Sequence, residues 1–353
     1  MNSTLENLAE RVQAQARVPF TARDVERVLA ALQGGEDIWR IIEQASTPFI
    51  GTCSALREME KQGWVEVGEG WVRLTEQGRV ACQQLGISEI PELTCPRCRG
   101  RGLELSAVPP GAARFHQLVQ GRPEASQEYD QGYITEESAL ARVGMMWRRG
   151  DLTGKEILFV GDDDLVCLAA AASGLPRRVV MVDIDRRLVE FVRDVAEREG
   201  LRVEAVRHDL RDPLPRALRR RFHTFACDPT ESLRGFVAFA RRGISALRGE
   251  GCAGYFGLTR SEASLAKWRA IQEELLSLGA AITDLIQDFH SYVNWPYLST
   301  MRGWGHLPAR RVPGPTETWY RSALVRIELV EVRPVPEDVI GGDIFEDDEA
   351  ATT

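Results

Sequence analysis

From Lys155 onward the apolar and polar positions fall into a regular alternation. Short apolar runs of strand length are followed by stretches whose apolar residues recur every three or four positions, the spacing of a helix with one buried face. The runs predict strands at 156–161, 178–183, 202–207, 222–227, 252–257, about 280–289 and 323–330. The intervening periodicity predicts helices at 165–173, 187–199, 214–220, 233–247 and 265–278. Upstream, three helical stretches (24–32, 37–45 and about 48–62) are followed by two short apolar runs, Trp64–Val67 and Trp71–Leu74, around Gly68-Glu69-Gly70. Such runs about a glycine turn read as a hairpin. A helix over 75–86 closes this part, and residues 1–18 read as a polar, partly helical leader.

Strands alternating with helices imply an α/β protein with a doubly wound, mostly parallel sheet. Five strands each followed by a helix, then two final strands with no helix between them, give a class I methyltransferase-like, Rossmann-like order. Three helices plus a hairpin give a small winged-helix-like α+β module ahead of it. The expected division is therefore 1–90 for that module, 91–128 for a linker, 129–335 for the catalytic domain and 336–353 for a flexible acidic tail. A winged helix reads DNA with its third helix. Here that helix, Thr52 to Lys61, sets Arg57 and Lys61 against Glu58 and Glu60, and the wing is acidic. Phosphate affinity needs clustered positive charge, so specific DNA binding is not expected. The module is expected to pack or to form a homodimer.

Composition narrows the picture slightly. The 353 residues carry a net charge of -8, which disfavours nucleic acid and admits a cationic small partner. No apolar run approaches the roughly 18 residues of a membrane span, and the first twenty residues have no signal-peptide core. A cytoplasmic protein is expected, with its seven mostly scattered cysteines reduced. Asparagine is scarce (Asn2, Asn7, Asn294), as in proteins of heat-adapted sources.

The chemistry gathers at strand ends, where open α/β sheets bind ligands. The first strand ends in Gly161-Asp162-Asp163-Asp164, carboxylates where such turns usually carry glycines for an anion. The second ends in Asp183 and Asp185, the third in His208-Asp209, the fourth in Asp228-Pro229-Thr230-Glu231. Crowded acids repel one another and raise each other's pKa unless a cation compensates. Ahead of the sheet, Tyr129-Asp130-Gln131 precedes a helix over 136–149 capped by Thr135, as a capped turn or as a flap over the site. Between the last two strands lie Tyr292, Trp295, Tyr297, Trp304, Trp319 and Tyr320, which could wall a pocket or merely pack. Cys95-Pro96-Arg97-Cys98 has the shape of half a zinc ribbon, with His116 or a second subunit supplying further ligands. The alternative is a reduced knuckle in a linker. Pro109-Pro110-Gly111 is a helix breaker.

These features resemble the aminopropyltransferases, and within them the branched-chain polyamine synthases over nearly the full chain. The resemblance rests on the winged-helix-like module, the Cys-x-x-Cys knuckle, Tyr129-Asp130-Gln131, Gly161-Asp162-Asp163-Asp164 and Asp228-Pro229-Thr230-Glu231. A linear spermidine synthase would carry a Gly-rich first loop and a serine in its catalytic acid loop, and this chain departs from both. The resemblance implies aminopropyl transfer from decarboxylated S-adenosylmethionine, a co-substrate, to the secondary amine of spermidine. Repetition gives N(4)-bis(aminopropyl)spermidine and methylthioadenosine. It implies Asp164, with Asp228 second, as the acid at the reacting amine. Asp162 and Asp163 would hold the aminopropyl ammonium beside Gly161, Asp183 and Asp185 the ribose, and Asp209 the adenine. Tyr129, Asp130, Gln131 and Glu231 would line the spermidine channel, with Tyr292 or Trp295 offering cation–π contacts.

Three other readings remain. An S-adenosylmethionine-dependent methyltransferase would face several kcal/mol of repulsion between the cofactor carboxylate and Asp162 to Asp164. A ligand-sensing winged-helix regulator lacks a basic recognition helix. A metal enzyme would use Asp162 to Asp164 as hard-cation ligands.

Overall fold

The computed structural model describes residues 3–109, 111–309 and 311–352. Pro110, part of the expected breaker, lies outside the described residues.

The N-terminal part opens with helix α1 (Ser3–Ala16), followed by α2 (Ala22–Gly34), α3 (Ile38–Ala45) and α4 (Phe49–Lys61). The expected polar leader is instead an amphipathic helix whose Leu5, Leu8, Ala9 and Val12 are buried. Arg11 reaches Glu58 of α4 at 3.3 Å. Strands β1 (Val65–Val67) and β2 (Val72–Leu74) pair antiparallel as the wing, and α5 (Glu76–Leu85) follows. Thr21, Asp37 and Thr75 each cap the helix that they precede. Helix α4, the recognition-helix position, is buried from Phe49 to Leu56 against the rest of the chain. It docks on the C-terminal part of the chain: the Phe49 N–H donates to the Ser261 carbonyl at 2.6 Å, and Arg57 donates to the Leu307 carbonyl at 2.9 Å. Trp39 of α3 meets Trp304 and Trp319 at tilted angles, with ring centroids 5.6 and 4.9 Å away, so those two tryptophans of the aromatic insert serve packing.

After a segment of short turns and α6 (Phe115–Leu118), α7 (Glu136–Arg148) leads into a seven-stranded sheet. Its strands are β3 (Glu156–Val160), β4 (Arg178–Asp183), β5 (Val203–Arg207), β6 (Thr224–Cys227), β7 (Ala253–Leu258), β8 (Ala280–Ser291) and β9 (Arg321–Leu329). The order is β5-β4-β3-β6-β7-β9-β8, with β9 antiparallel to both neighbours. Helices α8 (Val166–Ala172), α9 (Arg186–Glu199), α10 (Leu233–Ala246) and α11 (Leu265–Ser277) cover the faces. The helix expected at 214–220 is only a 3₁₀ turn, Arg216–Leu218. Pro215 disfavours helical backbone at Leu214, leaving too few residues for more than one turn. The chain's direction of winding reverses between β3 and β6, the point at which such sheets open a crevice.

The tail departs from expectation too. Ile344, Glu349, Ala350, Ala351 and Thr352 are buried rather than free in solvent. Its acids meet the N-termini of two helices, where the helix dipole favours negative charge. Asp347 accepts from the Leu233 N–H of α10 at 3.1 Å and pairs with Lys267 at 2.8 Å. Glu349 accepts from the Ser264 hydroxyl ahead of α11 at 2.9 Å.

Because Leu8 is fully buried against the N-terminal core, Leu8→Ala is expected to cost about 2–5 kcal/mol in denaturant unfolding. A change below about 0.5 kcal/mol would mean that α1 is a detachable leader after all.

Candidate active site

The loop after β3 begins with Gly161 at φ 65, a left-handed backbone that glycine adopts without strain. A Cβ there would stand 2.6 Å from the Phe239 ring. The three aspartates that follow go to three different places. Asp162 turns inward, and its oxygens accept from the Val166 and Cys167 N–H groups of α8 at 3.0 and 2.9 Å. Asp163 faces a cleft and accepts from the Gly132 N–H at 3.1 Å. Asp164 is buried, accepting from the Ile134 N–H at 2.8 Å and from Arg142 Nη1 at 3.1 Å. The trio therefore does not converge on one point as hard-cation ligands would.

The acids of the second strand end are likewise committed to the backbone. Asp183 accepts from the N–H groups of Asp162 and Asp185 at 3.0 and 2.8 Å, bracing the two loops against each other. Asp185 caps α9 through the Arg187 N–H and takes a hydrogen bond from Gln131 Nε2 at 3.0 Å. Asp209, partly exposed, is gripped by its neighbour Arg211. These three were expected to hold a nucleoside, and their visible task here is to shape the loops around its expected place.

Residues 129–135, the flap segment, carry Asp130, Gln131 and Gly132 along a cleft and end in the Thr135 cap of α7. They are stitched to the end of β8 by Val293 N–H to Tyr133 O at 3.0 Å and Thr135 N–H to Ser291 O at 2.7 Å. They are tied to the first loop by the Gly132 and Ile134 N–H groups already named. Asp130 adopts left-handed backbone at φ 51 and accepts from the Thr352 hydroxyl at 3.0 Å. Tyr129 stands at the flap's outer side near Asp185 and does not reach the cleft lining.

Between flap, first loop and β6 end lies a narrow cleft. Asp130, Asp163, Asp228 and Glu231 line it, with Tyr292, Trp295, Tyr297 and Tyr320 as aromatic walls. Among the described lining residues there is no lysine or arginine. Trp295 and Tyr292 each meet Tyr320 edge to face, at 5.4 and 5.0 Å. Asp228 takes a hydrogen bond from Tyr292 Oη at 2.6 Å, with Arg142 Nη2 standing 3.5 Å from its other oxygen. Its seat requires a glycine opposite: a Cβ at Gly257 of β7 would stand 1.6 Å from Asp228 Oδ1.

Electrostatics follow from crowding without solvent. Burial, then the charge of Asp164, pushes the Asp228 carboxyl up to about 7 against the pull of Arg142 and Tyr292. Burial and the nearby Glu262 push Asp130 up to about 8. Burial and neighbouring acids hold Asp163 and Glu231 well above the ordinary carboxylate range. Burial also lifts Asp162 to about 7 and Asp183 to about 6. At Asp185 burial acts upward but the hydrogen bonds of Arg187 and Gln131 outweigh it, so its pKa is lowered.

Sequence reasoning missed Arg142, Glu262 and Thr352. Arg142 stands among Ala139, Val143 and Met146 on the buried side of α7, and a lone charge inside an apolar face is the signal that could have found it. Glu262, buried, accepts from Thr352 N–H at 2.8 Å and from Tyr320 Oη, fastening the chain's last described residues to the cleft wall. The cysteine knuckle does not make a metal centre among the described residues. No group of three or more His, Cys, Asp or Glu side chains gathers there, and His116 is hydrogen-bonded to Glu136 at 2.8 Å instead.

The sheet order and the acidic, aromatic cleft together define a methyltransferase-like enzyme built to receive a cation. The profile of the branched-chain polyamine synthase A C-terminal domain matches residues 112–352, and the chain belongs to this family. It is 46% identical over 347 residues to the N(4)-bis(aminopropyl)spermidine synthase of Thermus thermophilus, covering 98% of each chain. It is 38% identical over 353 residues to the enzyme of the same name from Thermococcus kodakarensis, covering 99% of this chain and 100% of that one. A crystal structure of the branched-chain polyamine synthase from Thermus thermophilus, in complex with N4-aminopropylspermidine and 5'-methylthioadenosine, superposes with a TM-score of 0.94. That chain is 44% identical, and each covers the other completely. No helix among the described residues is long and apolar enough to cross a membrane.

Carboxyls whose folded pKa exceeds the unfolded value of about 3.9 stabilise the fold at low pH and lose that contribution as pH rises through the folded value. With Asp183, Asp162, Asp228 and Asp130 at about 6, 7, 7 and 8, the melting temperature of the free protein is expected to fall from pH 5 to about pH 8 and to level off above it. Asp130→Asn is expected to flatten the upper end of that slope. A melting temperature flat or rising from pH 5 to about pH 8, measured by scanning calorimetry, would contradict the raised values.

Proposed function

We propose that this protein transfers aminopropyl groups from decarboxylated S-adenosylmethionine to the secondary amine of spermidine, in two successive steps, giving N(4)-bis(aminopropyl)spermidine and methylthioadenosine. The observation that carries the reading is the cleft itself, four carboxylates and four aromatic rings with no basic residue among its described lining. A polyamine supplies the missing positive charge, and aromatic faces suit a quaternary ammonium that can donate no hydrogen bond.

The chemistry is a displacement at carbon. The acceptor nitrogen's lone pair attacks the aminopropyl methylene bonded to sulfur, the N–C bond forms, and the C–S electrons leave on methylthioadenosine. At neutral pH the acceptor arrives protonated, so its lone pair must first be freed. Asp228 takes that proton. It faces the cleft, and its carboxyl, pushed up to about 7, matches the working pH of a general base. Asp164, expected to be the acid at the reacting amine, is buried behind the cleft and paired with Arg142. Its role is then to raise the basicity of Asp228 through like-charge repulsion. Asp163 holds the donor's ammonium, while Asp130 and Glu231 hold the primary ammonium groups of the acceptor. The nucleoside half of the donor runs along the carboxyl ends of β3 to β5, past Asp185 and Asp209. The donor's lack of a carboxylate avoids repulsion at Asp163, and positioning against the fixed carboxylates supplies much of the rate.

Mixing the protein with decarboxylated S-adenosylmethionine and spermidine, with mass analysis of products, tests the assignment. N(4)-aminopropylspermidine followed by its quaternary successor is expected, and linear spermine alone or no product would overturn it. Asp228→Asn is expected to lower kcat by about 10²–10⁴. Asp164→Asn is expected to move the acidic limb of the pH–rate profile to lower pH, since a repelling charge is removed. A shift to higher pH would contradict the role given to Asp164.

A further inference from the structure

Behind the cleft, five side chains close a ring of polar contacts. Arg142 Nη2 faces Asp228 Oδ1, and Arg142 Nε donates to His290 Nε2 at 3.1 Å. His290 Nδ1 lies 2.9 Å from Ser322 Oγ, Ser322 Oγ lies 2.9 Å from Tyr292 Oη, and Tyr292 Oη reaches Asp228 Oδ2 at 2.6 Å. His290 on β8 and Ser322 on β9 are both buried and line no part of the cleft.

The chemistry of the groups fixes the direction of every proton. An arginine Nε–H can only donate, so His290 Nε2 must carry its lone pair. The neutral imidazole's one proton is then on Nδ1, pointing at Ser322. Ser322, having accepted there, gives its own proton to Tyr292, and Tyr292 gives its proton to Asp228. Burial, with Arg142 and Arg101 nearby, holds His290 well below its ordinary pKa and hence neutral. Running the chain backward would place a proton on His290 Nε2 against Arg142 Nε–H, two donors head to head.

We propose that His290 and Ser322 are positioning residues for the transfer, ordering Tyr292 as a fixed donor to Asp228 and closing the inward route, so that the abstracted proton leaves through the cleft. This rests on Asp228 as the proton acceptor. The groups facing Asp228 are Asp164 and Arg142 behind it, Asp163 across the cleft, Glu231 in its own loop and Tyr292 from the end of β8. Those facing His290 are Arg142, Arg101 and Ser322.

Ser322→Ala removes the hydroxyl that polarises Tyr292 and leaves Asp228 and Arg142 in place. The weaker Tyr292 bond stabilises the Asp228 carboxylate less, so its pKa rises. The acidic limb of kcat/KM is expected to move up by about 0.2–0.5 pH unit, because the Tyr292 bond loses its cooperative strengthening and is not itself broken. His290→Gln, which keeps an acceptor for Arg142 and a donor for Ser322, is expected to hold the limb near its parental position. A Ser322→Ala profile that loses amplitude without shifting would overturn the proposal. A second readout needs no turnover. Long-range ¹H–¹⁵N spectra of the histidine-labelled protein, assigned with His290→Gln, are expected to show His290 as the neutral Nδ1–H tautomer from pH 5 to 8.5. An Nε2–H tautomer, or titration within that window, would also overturn it. If the parental protein makes no branched product, the assignment of function fails while the tautomer still judges the chain.

Discussion

Arg142 lies between Asp164 and Asp228, and the site depends on how little positive charge that one guanidinium supplies. Three further acids, Asp130, Asp163 and Glu231, face the same cleft with no basic residue among its described lining. Burying charge without a partner is costly, and a protein meets that cost by holding protons or by admitting a cation. Here the free protein does the first, through raised carboxyl pKa values, and is thereby prepared for the second. Arg142 offsets enough of the repulsion for the loops to fold, and its own pKa is raised because Asp228 and Asp164 outweigh its burial.

The rest of the fold serves that arrangement. The reversal of winding between β3 and β6 brings two acid loops to the two sides of one crevice. The flap closes the third side, hydrogen-bonded both to the first loop and to the end of β8. The tail closes the fourth, with Asp347 and Glu349 seated on helix N-termini and Thr352 reaching Asp130. The winged-helix-like module, its α4 turned inward, supports the aromatic insert from behind through Trp39 and Phe49. A motif shape associated with DNA is thereby used as a scaffold.

Much of this was legible in the sequence, for physical reasons. Seven strands and their succession along the chain follow from alternating periodicity, and acids at strand ends are conspicuous because turns there usually bind anions. What periodicity cannot show is where a carboxylate points. Asp162, Asp183 and Asp185 read as ligand groups, yet each spends its oxygens mainly on backbone N–H groups or on Gln131 and Arg187. Asp164 was expected at the reacting amine ahead of Asp228, and that Asp228 lines the cleft while Asp164 is buried beside Arg142 is a tertiary fact that no sequence pattern carries. The tail looked disordered because it is acidic, and only the helix N-termini it meets explain its order. His290 and Ser322 carry no sequence signal at all, since single polar residues in strands most often satisfy a neighbour and do nothing further.

The central claim is that the cleft carboxyls hold protons until a polycation replaces them. Calorimetric titration of the free protein with spermidine at pH 7, repeated in buffers of different ionisation enthalpy, counts protons exchanged on binding. Net proton release is predicted, because the arriving ammonium groups drive Asp130, Asp163, Asp228 and Glu231 toward their ionised forms. Binding with no proton exchange, or with uptake, would contradict it.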